Sequence, residues 1–76
     1  MKELVEYLAK GLVDKPDEVR VERVERDGAV VLELHVAPDD VGKVIGRQGR
    51  TARALRTIVR ASGARSNERA LLEIVG

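Results

Sequence analysis

Apolar residues in the first part of the chain recur with the spacing of a helix. Between Lys2 and Val13 they fall three or four positions apart, and charged residues occupy the opposite side. This pattern predicts an amphipathic helix over residues 2–13. The segment from Asp14 to Pro16 ends it, because proline cannot continue the helical hydrogen-bond ladder and restricts the residue before it.

Two strands joined by a tight turn are predicted next. Over residues 18–25 apolar and charged positions alternate, although Val24 falls out of phase and predicts a bulge. The pair Asp27-Gly28 is a strong signal for a hairpin turn. Over residues 30–36 every second residue is apolar, which is the clearest strand pattern in the chain.

Two helices follow the hairpin. Pro38-Asp39-Asp40 has the composition of a helix start, with an aspartate available to cap the first amides. The first helix must be short because Gly46 and Gly49 close it within two turns. A second helix is expected over residues 50–61, with an apolar stripe, an arginine stripe opposite to it, and Ser62-Gly63 at its end.

Together these elements predict one α+β domain that occupies residues 1–76. Residues 64–69 are predicted to be a polar loop and residues 70–75 a short apolar strand. The first two strands pair antiparallel, whereas a helical crossover joins the second strand to the third, so that this pair is parallel. A three-stranded mixed sheet with three helices packed on one face would bury the apolar residues.

The composition excludes several kinds of chemistry. A chain of 76 residues suffices for one domain and is too short for two. It contains no cysteine, which excludes disulfides and cysteine-ligated metals, and its single histidine, His35, cannot form a His pair. Thr51 and Ser62 have no neighbouring base to activate them. We therefore expect no enzymatic activity, no metal and no cofactor.

The chain also lacks the sequence features of a membrane or secreted protein. No apolar run approaches the roughly 18 residues needed to span a bilayer. The N-terminus has neither the apolar core nor the small-residue cleavage site of a signal peptide. We expect a cytoplasmic protein with no membrane contact.

Charge is distributed unevenly along the chain. The formal net charge is only +1, but residues 1–40 hold eleven of the thirteen acidic side chains. Residues 41–76 hold eight of the fourteen basic side chains, namely Lys43, Arg47, Arg50, Arg53, Arg56, Arg60, Arg65 and Arg69. A polyanion could bind this basic half, although arginines on a helix often serve only to solvate its outer face.

The most informative segment is the turn Gly46-Arg47-Gln48-Gly49 between the two predicted helices. Glycine at both ends permits a positive φ and allows another backbone to approach closely. Arg50 begins the second helix, whose first amides carry a partial positive charge. A phosphodiester chain at this turn would meet backbone N–H groups together with the side chains of Lys43 and Arg47.

Spacing excludes two other glycine motifs. A Walker loop and a dinucleotide-binding loop would both need a glycine at position 44, where the chain has Val44. A bare G-x-x-G pattern is also typical of a plain helical hairpin, so its context is decisive. Here Val44-Ile45 precedes the turn, and basic residues lie within it and after it.

With V-I-G-x-x-G between two helices, the chain resembles the KH domain, and its element order is similar to the bacterial type II arrangement. The likeness covers essentially the whole chain and extends to the small stand-alone bacterial KH proteins of the KhpA family. It implies an αββααβ fold that binds about four nucleotides of single-stranded RNA, in post-transcriptional regulation or as an RNA chaperone. Tyr7 is the only aromatic residue, which disfavours modules that stack bases on aromatic rings.

The resemblance also implies which residues would contact RNA. The backbone clamp corresponds to Gly46, Arg47, Gln48 and Gly49, flanked by Lys43, Arg50 and Arg53. A nucleotide groove would be lined by Val41, Ile45, Ala52 and Leu55 from the helices, and by Arg65, Arg69, Leu72 and Ile74 from the last strand and the loop before it. The family commonly has isoleucine at the position of Ala52, and the smaller side chain would widen the floor of the groove.

Two other functions stay open. The chain could be an assembly subunit that acts mainly through protein partners, as a homodimer or as a heterodimer with another KH-containing protein, with Leu71 and Val75 at the contact surface. A helix-turn-helix that reads duplex DNA with Arg50, Arg53 and Arg56 ranks below both, because its first helix is too short and its turn too open.

Overall fold

A computed structural model describes all 76 residues, and its elements follow the predicted order αββααβ. They are α1 (Lys2–Lys10), β1 (Arg20–Arg26), β2 (Ala29–His35), α2 (Val41–Ile45), α3 (Arg50–Arg65) and β3 (Ala70–Val75). Single turns of 3-10 helix at Pro16–Glu18, Pro38–Asp40 and Arg47–Gly49 connect them. No helix of the chain is both long enough and apolar enough to cross a membrane.

The three strands form one mixed sheet in the order β1-β2-β3, with the predicted directions of pairing. The predicted bulge at Val24 is wrong, since β1 and β2 pair without interruption and Val24 lies directly opposite Val31. Val24 is out of phase because its side chain is on the opposite face of the sheet from Val21, which lies in the core. At the hairpin turn Asp27 and Gly28 have φ values of 53° and 77°, as a two-residue turn with positive φ at both positions requires.

The hydrophobic core lies between the three helices and one face of the sheet, as predicted. A single cluster of 13 buried residues joins Val5 of α1, Val44 of α2 and Val59 of α3 to the strands. Leu32 and Leu34 of the central strand β2 are 1% and 0% exposed. The opposite face of the sheet, called the open face below, has no helix packed on it.

Helix α1 ends at Lys10, three residues before the predicted end. The amide of Gly11 still donates to the carbonyl of Tyr7 at 3.3 Å, but the amide of Leu12 donates to Ala9 at 3.0 Å, which tightens the last turn. Glycine is a poor helix former, so the helix ends here, well before the proline that was expected to stop it.

Helix α3 runs to Arg65, past the predicted end at Ser62-Gly63. Gly63 is buried inside the helix, and a Cβ on it would lie 2.6 Å from the Cβ of Ala70 and 2.9 Å from the carbonyl oxygen of Glu68. The glycine is therefore needed for the close approach of α3 to the start of β3. Glycine at this position is typical of a helix end, but here it is explained by packing against β3 and not by the end of the helix.

The segment before α2 also differs from expectation, because no side chain caps this helix. Asp40 is instead the one buried charged residue, 1% exposed. Its carboxylate accepts hydrogen bonds from the backbone N–H groups of Asp14 at 3.3 Å and Lys15 at 3.0 Å. These two hydrogen bonds hold the connection between α1 and β1 against the start of α2.

Candidate nucleic-acid interface

The G-x-x-G turn has the backbone conformation that its sequence predicts. Gly46 and Gly49 have φ values of 76° and 73°, and Gln48 between them has a φ of 57°. A Cβ on Gly46 would also lie 2.8 Å from the Cβ of Thr51, because the first turn of α3 closes on the loop. Both the positive φ and this contact therefore require glycine at position 46. A Cβ on Gly49 would meet no atom within 4 Å, so only the positive φ favours glycine there.

Three amides of this turn donate to backbone carbonyls. The amide of Gly46 donates to a carbonyl of α2 at 2.9 Å, that of Gly49 to Gly46 at 3.1 Å, and that of Arg50 to Arg47. The amide of Arg50, the first residue of α3, is therefore already hydrogen-bonded within the loop. These bonds hold the loop in place, and the side chains of Arg47 and Gln48 stand exposed at its tip.

Two arginines of α3 gather at the same tip. The guanidinium of Arg50 donates to the side-chain oxygen of Gln48 at 3.3 Å, and that of Arg53 donates to the carbonyl oxygen of Gln48 at 3.4 Å. Both arginines are exposed. The structure thus brings three predicted contact residues, Arg47, Arg50 and Arg53, to one end of α3.

Lys43 lies in α2, the helix that leads into the turn. Unlike those arginines, it has an acidic partner. Its Nζ is 3.2 Å from a carboxylate oxygen of Asp14. Asp14 lies in the connection between α1 and β1, and its amide donates to the carboxylate of Asp40. Among the basic residues predicted to contact RNA, Lys43 is the one that already has an acidic partner.

The residues predicted to line a groove are placed at different depths. Ala52 and Leu55 are 2% and 4% exposed on the inner stripe of α3, so their side chains are not accessible from an open groove. Val41 is half-buried against the core, whereas Ile45 is exposed at the end of α2. Of these four residues, only Ile45 presents a substantial apolar surface beside the G-x-x-G turn.

Arg65 and Arg69 lie away from the turn. Arg65 is the last residue of α3, and a helix of 16 residues is about 24 Å long. Arg69 directly precedes β3, in the loop that follows this end of the helix. The structure therefore does not bring these two arginines together with those at the G-x-x-G turn.

A groove lies between α3 and β3, the last strand of the sheet, where the resemblance implied one, but two of its lining residues were not expected. It has a volume of about 320 Å³ and is lined by Arg56, Arg60, Ala70, Leu71, Leu72 and Glu73. The arginine stripe of α3 was visible in the sequence. How far along α3 the last strand lies depends on tertiary packing, so Arg56 and Arg60 were not assigned to the groove.

The arginines of the basic half share one electrostatic property. None of the seven between Arg47 and Arg69 has a carboxylate oxygen within 4.0 Å, whereas all three arginines of β1 do. An unpaired guanidinium can bind an incoming anion without first breaking an ion pair. These arginines, at the turn and along α3, therefore have no ion pair that would compete with an anion.

One group of possible metal ligands lies elsewhere, on the open face. Ligand atoms of Glu22, Glu33 and His35 are within 4.8 Å of one another. Glu22 already pairs with Arg20 at 3.1 Å, and Glu33 pairs with Arg26 at 3.2 Å. The two guanidiniums neutralise the carboxylates that a metal would need, so the cluster forms part of a charge-paired surface.

Comparison with known proteins places this geometry in context. Residues 2–74 match the family model described as KhpA/KhpB, KH domain. RNA-binding protein KhpA of Clostridium acetobutylicum is 52% identical over 75 residues, which cover 99% of this chain and 100% of the relative. The protein of that name from Aquifex aeolicus is 53% identical over 75 residues, covering 99% and 95%. The one from Treponema pallidum is 51% identical over 74 residues, covering 97% and 92%.

Proposed function

We propose that this chain, which belongs to the KhpA/KhpB family of KH-domain proteins, binds single-stranded RNA at its G-x-x-G turn. Membership of the family confirms the predicted type II KH fold and the expectation of a binding protein rather than an enzyme. RNA binding is stated in the name of the relatives. The geometry and charges of the turn support the same activity here.

The observation that carries the proposal is the group of unpaired guanidiniums around the exposed turn. Arg47, Arg50 and Arg53 converge at the tip without acidic partners. Phosphate contacts supply most of the affinity in sequence-independent nucleic-acid binding. Guanidinium groups are well suited to them because their fork of N–H donors matches two phosphate oxygens.

The turn and its surroundings suit a short single strand. A phosphate at the tip would be held by Arg47, Gln48 and the neighbouring guanidiniums, and a base would rest on the exposed side chain of Ile45. KH modules clamp about four nucleotides in this way. A site of that size has limited sequence selectivity, which suits a cytoplasmic role in post-transcriptional regulation or as an RNA chaperone.

The double variant Arg47→Asp with Gln48→Asp tests the clamp. Fluorescence anisotropy with an unstructured RNA oligonucleotide should show a loss of about a hundredfold or more in affinity, since each tenfold corresponds to only about 1.4 kcal/mol. If about three phosphates are neutralised, the wild-type affinity should fall with a log-log salt slope near −2. Unchanged affinity in the double variant, or a salt-independent affinity in the wild type, would refute the proposal.

A matched control separates the turn from net charge. Lys10→Asp with Lys2→Gln changes the charge by the same amount at two exposed positions of α1. This control should keep its affinity within about threefold, as expected for long-range electrostatics alone at physiological salt. Both variants should unfold at the wild-type temperature, because all four side chains lie outside the core.

A second candidate function is assembly with another protein, and one observation favours it. Leu71 and Val75 are 41% and 39% exposed on the open face. Both side chains point the same way, and Leu71 lies beside Val31 across the parallel ladder. A homodimer, or a heterodimer with another KH-containing protein, would cover them and raise the effective concentration of short RNA sites.

Sedimentation over a wide range of concentrations tests the assembly role. The wild type should shift towards a dimer, and Leu71→Glu should stay monomeric. A wild type that is monomeric throughout counts against the homodimer, and mixing with a second KH protein then tests the heterodimer. RNA affinity measured in parallel shows whether either state is needed for binding.

A further inference from the structure

Helix α1 carries an exposed apolar surface that neither the G-x-x-G turn nor the open face uses. Half of the exposed large hydrophobic residues of the chain lie on this helix or directly after it, namely Leu4, Tyr7 and Leu12. Tyr7 is the only aromatic residue of the protein and is 76% exposed. Tyrosine is enriched among the residues that dominate protein interfaces, so its exposure on an apolar helix face indicates a docking surface.

We propose that this surface contacts α1 of a second copy when two copies occupy one RNA strand, so that binding to a long RNA is cooperative. The inference rests on the proposed RNA binding and goes beyond it, because it assigns a role to a helix outside the RNA site. The contact would be formed by the α1 stripe, which consists of Leu4, Tyr7 and Gly11.

The three residues of the α1 stripe lie on one side of the helix. With 100° per residue they fall within about 60° of one another around the axis. Gly11 keeps helical dihedral angles, with φ −75° and ψ −12°, so the stripe extends through it. All three residues are exposed. Their spacing of three and then four positions is that of apolar residues in paired helices.

The shape of the stripe is complementary to itself in an antiparallel arrangement. Leu4 lies three positions before Tyr7 and Gly11 lies four positions after it. A two-fold axis beside Tyr7 therefore places Leu4 of each copy opposite Gly11 of the other, and the two tyrosines meet at the centre. Gly11 has no side chain, which leaves room for leucine, and a two-fold axis uses the same patch on both copies.

The charges beside the stripe favour the same arrangement. Glu3 and Lys10 lie on one flank of the helix, about 20° apart around its axis and near opposite ends. Antiparallel pairing brings Glu3 of each copy towards Lys10 of the other, whereas parallel pairing would bring like charges together. Within one copy Glu3 has only the N-terminal ammonium at 4.0 Å, and Lys10 has no acidic partner.

Pairing through α1 leaves the RNA site accessible. Helix α1 packs against β1 and, to a smaller extent, β2, whereas α3 packs against β3. Since β1 and β3 are the two edges of the sheet, the α1 stripe and the arginines of α3 lie over opposite sides of the molecule. Two copies joined through α1 can therefore each hold RNA.

The contact is too small to join free copies. It involves one helix of nine residues, whereas a stable complex buries about 800 Å² on each partner. Two copies bound to one flexible strand, however, have an effective concentration of about millimolar for each other. We therefore expect the α1 contact to appear as cooperativity on RNA and not as a dimer of the free protein.

RNAs with one or two binding segments test the inference. Each segment is an unstructured sequence of about four nucleotides, and flexible linkers of increasing length join the two. In anisotropy titrations of the wild type, the second copy should bind the two-segment RNA about tenfold more tightly than independent sites predict, or about 1.4 kcal/mol. This advantage should be absent with linkers too short to span the pair, reach a maximum and then decline.

The double variant Leu4→Gln with Tyr7→Ser should abolish the cooperativity. Its affinity for the one-segment RNA should stay within about twofold of the wild type, because the stripe lies outside the RNA site. Both side chains are exposed, so the variant should remain folded. Loss of affinity for the one-segment RNA would place α1 in the RNA site and overturn the inference.

Exchange of charges tests the antiparallel arrangement. Glu3→Lys alone and Lys10→Glu alone should each weaken the cooperativity, because each puts like charges together across the pair. The double variant Glu3→Lys with Lys10→Glu should restore it, a rescue that a merely structural role of either residue does not predict. Lys2→Glu, which makes the same change of charge on the other side of α1, is the matched control and should keep the cooperativity.

Failure of this inference is distinct from failure of the clamp. If Arg47→Asp with Gln48→Asp binds the one-segment RNA like the wild type, the proposed function fails. If that variant loses binding but the wild type fills two segments independently at every linker length, only the α1 contact is rejected. Cooperativity that persists in Leu4→Gln with Tyr7→Ser but disappears in Leu71→Glu would assign the contact to the open face and overturn the inference.

Discussion

The β1–β2 hairpin and the α2–α3 hairpin both carry arginines on exposed surfaces, but the surroundings of those arginines differ. Arg20, Arg23 and Arg26 of β1 each have a glutamate oxygen within 3.2 Å. The arginines of the G-x-x-G turn and α3 have no such partner. Arginine content alone therefore does not indicate where a polyanion would bind.

The difference arises from the spacing of opposite charges. In β1 arginine and glutamate are close along the chain, and the sheet adds glutamates from β2 and β3. Exposed pairs of this kind contribute only about 0–1 kcal/mol each to stability, but they leave little net charge on the surface. In α3 there is no acidic residue at all, so its positive charge remains available at the surface.

The largest expected effect compares the two sets of arginines directly. Arg50→Gln with Arg53→Gln should weaken RNA binding by about tenfold to a hundredfold, or about 1.4 to 2.8 kcal/mol. Arg20→Gln with Arg23→Gln removes the same charge and should change the affinity by less than about twofold, because the paired arginines do not face the turn. Anisotropy at fixed salt measures both. Equal losses in the two variants would show that only net charge matters.

A second variant separates packing from charge. Gly63→Ala should lower the free energy of unfolding by about 1–3 kcal/mol, because its Cβ would overlap Ala70 and the backbone at Glu68. Gly42→Ala in α2 is the control, since a Cβ there has no neighbour within 4 Å. Alanine is the better helix former, so this control should be neutral or stabilising by up to about 1 kcal/mol.

Urea denaturation measures both glycine variants. A Gly63→Ala protein as stable as the wild type would mean that α3 can shift away from β3 without cost. Its RNA affinity, measured while the protein is folded, would then show whether the α3–β3 spacing matters for binding.

A smaller effect is expected from removing one paired arginine of the sheet. Arg26 forms ion pairs with Glu33 and Glu73, both at 3.2 Å, and is about half exposed. Arg26→Gln should therefore destabilise the fold by at most about 1 kcal/mol. Its affinity for a four-nucleotide RNA should be unchanged. A large loss of that affinity would show that the charges of the two hairpins are coupled.

The smallest effect is expected at Asp14, the acidic partner of Lys43. Asp14→Asn frees the ammonium group and should increase RNA affinity by about twofold to threefold, or about 0.5 kcal/mol. Asp17→Asn is the matched control, since Asp17 is exposed on the same connection and has no ion pair. An equal increase in both variants would indicate a general electrostatic effect.

The order of elements and the turn at the site could be predicted because their signals are local. Asp27-Gly28 specifies its hairpin turn, and Gly46 and Gly49 adopt the positive φ values that their residue type permits. The apolar spacing of α3 and the alternation in β2 indicate which side of each element faces the core. None of these inferences needed a contact between distant parts of the chain.

Features that depend on distant contacts were not predicted. Asp40 had the local signature of a helix cap, but its carboxylate binds amides about 25 residues earlier. Gly63 had the signature of a helix end, but it makes room for β3. Likewise, periodicity gave the arginine stripe of α3 but not the strand edge that completes a groove with Arg56 and Arg60.

The buried carboxylate of Asp40 joins two stretches of chain that local unfolding would otherwise release separately. Opening the connection before β1 exposes this anion to solvent, and displacement of α2 removes the acceptor from the amides of Asp14 and Lys15. The two stretches should therefore exchange their amide hydrogens as one cooperative unit. A ligand that orders α2 would then slow amide exchange at Asp14 and Lys15, although the ligand does not contact these residues.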